Sequence, residues 1–193
     1  MHLEYWNRKR LRGLVIGILG LGLLSGCTGT SIYNVRFHQN YSPIVLTGDH
    51  ADAPMPVISI GPYLGREGPE LTADAAAEFR EANGFLPVSF SPAAAGTSYR
   101  SRLLLVFSAR VDLLPETACG TEPDDSMLDA ANGNEILIAY CRDDVAMSAA
   151  RIRMPDGAMP GGEGFRQAMR QGLRQITPPR NPHDIGGCQD DCT

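Results

Sequence analysis

Lysine is nearly missing from this chain. Among 17 basic residues in a total of 193, Lys9 is the one lysine and every other is an arginine. A phosphate loop of the P-loop kind needs a lysine that reaches the β- and γ-phosphates, so that chemistry is excluded beyond residue 9. Positive charge is short overall, with 22 acidic residues against those 17 and a net charge of −5. Nucleic-acid binding draws on a broad positive field, which this chain does not supply. Apolar runs long enough to span a bilayer are absent too. The longest, Gly13 to Leu24, falls short of the roughly 20 residues that about 30 Å of hydrocarbon requires. Gly13, Gly17, Gly20 and Gly22 weaken it further as a permanent helix. No internal repeat is visible.

Catalytic signatures are missing as well. A nucleophile elbow needs Gly-x-Ser-x-Gly on a sharp strand-to-helix turn. In "GTSYR", Ser98 has Gly96 before it, but Arg100 stands where the second glycine belongs. "GGEGFRQ" opens a helix, and helix N-termini attract anions. Gln167, however, replaces the last glycine of a dinucleotide fingerprint. His183, Asp184, Cys188, Asp190, Asp191 and Cys192 are ligand types that suit zinc, but Cys-x3-Cys beside one histidine is a loose spacing for it. His38 and His50 sit in loop-like sequence without a partner cysteine or a second histidine, and are expected to face solvent. The chain reads as a protein without metal, cofactor or catalytic residues, and not as an enzyme.

What is present begins at the N-terminus. Arg8, Lys9, Arg10 and Arg12 precede the apolar run, and small residues follow it. A charged start, about a dozen apolar residues and a small-residue cut site describe a secretory signal. Leu24-Ser25-Gly26-Cys27 resembles the lipobox of bacterial lipoprotein precursors. The resemblance implies that diacylglycerol is attached to the Cys27 sulfur, that residues 1–26 are removed, and that the new amine is acylated. Several acyl chains on one residue give stable anchoring, whereas one is marginal. Thr28 stands where the class often uses Asp to retain a protein in the inner membrane. The resemblance therefore implies the periplasmic face of the outer membrane. The segments "EILIAYCRDD" and "FRQAMRQGLRQITPPRNP" are also similar to uncharacterised lipoproteins of GC-rich Gram-negative bacteria, which brings no known activity with it.

Removing residues 1–26 takes four of the basic residues and Glu4, so the charge moves from −5 to −8. Cys119, Cys141, Cys188 and Cys192 remain beside Cys27. In an oxidising periplasm paired thiols are the default, and four cysteines allow three connectivities. The expected pairs are Cys119–Cys141, stapling a polar loop to the end of a buried strand, and Cys188–Cys192, closing a small ring in the tail.

Periodicity divides the rest. Residues 27–42 show no sustained period and read as a tether behind the lipidated cysteine. Residues 43–177 form one domain, and 178–193 form a tail rich in Pro, Gly and charge. "PVISIGPYLG" contains a short strand. "LTADAAAEFREANG" is a helix with Thr72 as its N-cap and Ala75, Ala76, Phe79 and Ala82 facing inward. "FLPVSFS" is an edge strand, because Pro87 cannot donate a ladder bond. "SRLLLVFSARVDL" is a strand through Leu113, and residues 116–134 form a loop with one helical turn after Ser126. Residues 136–154 are a hairpin turning at Asp143-Asp144. Phe165, Ala168, Met169, Gly172, Leu173 and Ile176 give the clearest helix, which Pro178 ends. The sum is an α+β fold: a mostly antiparallel sheet with two main helices packed on one face.

Arg166, Arg170 and Arg174 stand four apart beside glutamines on that last helix. A guanidinium face of this kind can hold phosphates or carboxylates bidentately, while the simpler reading is a solvated helix face. Three functions follow in order. The first is a lipid-anchored envelope protein that binds an envelope partner without catalysis. The second is an envelope hydrolase or metal-dependent enzyme with a scattered site. The third is a binder of anionic envelope polymer or lipid through the arginines.

Overall fold

Residues 103–107 and 136–141 are apolar at every position, a composition that suits strands covered on both faces. In the computed structural model they lie at the centre of a six-stranded sheet. The structure describes residues 29–82, 87–94, 97–121 and 124–183. Its strands are β1 (Ser31–Phe37), β2 (Met55–Ile60), β3 (Phe90–Pro92), β4 (Ser101–Phe107), β5 (Glu135–Arg142) and β6 (Val145–Arg153). The helices are α1 (Pro43–Asp49), α2 (Gly68–Ala82), α3 (Pro115–Gly120) and α4 (Glu163–Ile176), with 3-10 turns at Asp125–Met127 and Ala130–Asn132.

The sheet runs β1-β6-β5-β4-β2-β3. β6 pairs antiparallel with β1 and β5, and β5 pairs antiparallel with β4. β2 is parallel to both β4 and β3. The fold is α+β with a mostly antiparallel sheet. Successive strand residues point to opposite faces, and the core divides accordingly. Leu103, Leu105 and Phe107 share one apolar cluster with Ala75, Ala76 and Phe79 of α2 and with Phe165, Met169 and Leu173 of α4. Leu104 and Val106 belong to a second cluster with Leu137, Ala139 and the α3 residues Ala118 and Cys119.

The segment read as a tether holds strand β1, whose Ser31 lies opposite Arg153 and whose Phe37 lies opposite Ser148. Its register shifts between Tyr33 and Arg36, and Asn34 sits at φ +52°. That bulge breaks the two-residue period, so alternation is invisible in the sequence. A polar clamp fastens the strand. The Tyr33 hydroxyl donates to the buried Glu135 carboxylate, and Arg153 Nε donates to its other oxygen at 2.8 Å.

Other boundaries move as well. α2 begins at Gly68, so Thr72 is not its N-cap but lies one turn inside, donating to the Gly68 carbonyl at 3.0 Å. Pro69 fits the first turn, where a missing N–H costs nothing. Ala75, Ala76 and Phe79 are fully buried as expected. β4 stops at Phe107, because Ser108 turns the chain at φ +52°. The alternation that follows it belongs to a loop. α1 and α3 are short helices with Pro at their starts that the periodicity did not suggest. The hairpin β5–β6 forms as read, and α4 buries all six of its expected residues.

Cys119 and Cys141 are bridged with their Cα atoms 5.6 Å apart, within the range a disulfide requires. The pair Cys188–Cys192 lies outside the described residues, as do Cys27 and the tail beyond His183.

Candidate functional site

His50, expected in solvent, is 6% exposed and lies just after α1. Helix α1 delivers it against the first residue of β4. Its Nε2 stands 2.8 Å from Ser101 Oγ, and that hydroxyl stands 3.3 Å from the Tyr140 hydroxyl on β5. All three side chains are buried. Burial pushes the His50 pKa down, while a hydrogen bond to the Ala53 backbone and the nearby Asp49 charge oppose that shift. The Ser101 hydroxyl donates to the Tyr140 hydroxyl, so its one proton is directed at Tyr140 rather than at Nε2. The Tyr140 pKa is raised, first by burial.

Beside this cluster lies a cavity of about 600 Å³ lined by His50, Asp52, Arg80 and Ser89 among others. A hydroxyl at hydrogen-bond distance from a neutral imidazole is the first half of a nucleophile–base pair. The second half is a group that orients the base. The described carboxylate nearest in sequence, Asp49, is instead 3.0 Å from Arg142 Nε in an ion pair. Ser101 is not among the cavity's lining residues. These two residues are 51 positions apart with no motif around either, so only the pairing of α1 with the start of β4 exposes them.

The arginine stripe is engaged within the chain. Arg166 pairs with Glu163 at 2.8 Å, and Arg170 reaches the buried Glu78 of α2 at 3.3 Å. These carboxylates occupy guanidinium edges that a phosphate would need. Ser98 lies in the loop before β4. His38 accepts from the Asn40 backbone through Nδ1, and its carbonyl accepts from His183 Nε2 at 3.0 Å. Among the described residues no three His, Cys, Asp or Glu side chains group as metal ligands. Asp184, Cys188, Asp190, Asp191 and Cys192 lie outside them.

No family model, curated protein or solved structure matches the chain. Its function rests on its own residues.

Proposed function

We propose that this protein is a lipid-anchored envelope lipoprotein facing the periplasm, held at the outer membrane, that acts by binding an envelope partner rather than by catalysis. The observation that carries the reading is Leu24-Ser25-Gly26-Cys27 at the end of a charged and then apolar leader. The Cys119–Cys141 bridge supports it, since disulfides persist where the compartment is oxidising. Intact mass of the chain extracted from membranes tests it. The expected product begins at Cys27 and carries acyl chains, and Cys27→Ser leaves the precursor uncleaved or the protein unanchored. A chain that keeps an unmodified Met1 sinks the reading.

The hydrolase reading has one observation in its favour, the Ser101–His50 contact at 2.8 Å. A fluorophosphonate probe that labels the wild type and not Ser101→Ala would establish it, and an unlabelled wild type would reject it. Binding of anionic polymer through Arg166, Arg170 and Arg174 predicts that replacing all three by Gln abolishes retention on that polymer. It also predicts that salt weakens the wild-type interaction.

A further inference from the structure

β1 brings Ser31 within four residues of Cys27, a span of at most about 14 Å of extended chain. If Cys27 carries lipid, the end of the sheet where β1 begins is held next to the bilayer. Strand register identifies what else is at that end. Ser31 is opposite Arg153, Arg153 is opposite Glu135, Ile136 is opposite Phe107, and Ile60 is opposite Val106. The connections leaving β2, β4 and β6 therefore emerge from the same end as the tethered N-terminus.

These three connections carry exposed apolar side chains. Leu64 after β2 is 50% exposed, Val111 and Leu114 after β4 are 72% and 51% exposed, and Met159 after β6 is 55% exposed. Leu64 is held at φ +48°, a conformation uncommon for any residue but glycine. Two of the connections are fastened together, because the Tyr63 hydroxyl donates to the Ala158 carbonyl at 2.6 Å. Leu64 and Met159 are their next neighbours in sequence. Between the connections that follow β2 and β6 opens a cavity of about 490 Å³ lined by Tyr63, Leu64, Leu128 and Pro155, among others.

We propose that this end of the domain is a membrane-docking surface, with Leu64, Val111 and Met159 inserted at the boundary between headgroups and acyl chains. The proposal rests on lipidation at Cys27. The anchor holds the domain at high local concentration beside the surface, so a few shallow apolar side chains are enough to orient it. The occupant is lipid rather than a protein because the short tether leaves little room between this end and the bilayer.

Tryptophan scanning tests it, since the single Trp6 is removed with the leader. Leu64→Trp, Val111→Trp and Met159→Trp are prepared as lipidated chains from membranes, beside Ile44→Trp. Ile44 is 81% exposed and belongs to α1, which leaves the opposite end of the sheet. Each is reconstituted in phosphatidylethanolamine vesicles that contain acyl-brominated lipid. The expected result is quenching of about two-fold or more at 64, 111 and 159, where bromine lies within the depth an interfacial group reaches, and little at 44. Lipidated chains quenched equally at all four positions, or at none, overturn docking and leave the anchor reading intact. A blue shift that depends on protein concentration without quenching overturns it in favour of a second copy. Chains whose mass shows no lipid overturn both.

Discussion

His50 enters the interior at the end of α1 as a neutral ring, and its burial has a thermodynamic consequence. The unfolded chain takes up a proton that the folded one resists, since burial holds the ring's pKa below its ordinary value. The stability contributed by neutral His50 is complete above about pH 6.5, the ordinary histidine value. It falls as pH drops below that, until the depressed folded pKa is passed. Denaturant unfolding at stepped pH should show this slope in the wild type and a flatter one in His50→Gln. Tyr63 acts in the other direction. Its pKa is pushed up to about 12 by burial, against about 10 in the unfolded chain. Its stabilisation is therefore lost as pH rises through that window.

At the scale of elements, α4 separates packing from surface chemistry. Leu173 sits in the core, so Leu173→Ala should destabilise by about 2 to 5 kcal/mol through lost burial and a cavity. From sequence alone the three arginines look dispensable for stability. The Arg170–Glu78 contact alters that expectation, because the triple change to Gln removes one partner of a largely buried carboxylate. A cost of about 1 to 2 kcal/mol is expected from Arg170→Gln. The turn after β2 is equally constrained. Gly61 lies at φ +81°, and a Cβ there would stand 2.7 Å from the Phe107 carbonyl oxygen. Gly61→Ala should therefore cost about 2 kcal/mol or more, from left-handed strain and the clash together. Equilibrium unfolding reads both changes.

For the whole molecule, the bridge between Cys119 and Cys141 ties α3 to the end of the central hairpin. Arg102 gathers the carbonyls of Tyr99, Cys119 and Asp143 around the same place. Reduction, or Cys119→Ala with Cys141→Ala, should lower stability by about 2 to 4 kcal/mol. Peptide mapping without reductant should find the two cysteines in one linked fragment, and their recovery as free thiols would contradict it.

The hairpin, α4 and the Cys119–Cys141 pair were legible in the sequence because each rests on local pattern: unbroken apolar strands, a 3.6-residue stripe, and the compartment that the leader implies. The proposed anchor at Cys27 rests likewise on contiguous residues. Tertiary structure decided what local pattern does not encode. β1 carries a bulge that erases its alternation, and it becomes a strand only because the edge of β6 offers backbone partners. The parallel pairing of β2 with β4 joins segments separated by α2 and β3. His50 and Ser101 meet across 51 residues, and Arg170 finds Glu78 across 92. Contacts of that range depend on how elements pack against one another, and a residue's neighbours in the chain carry no record of them.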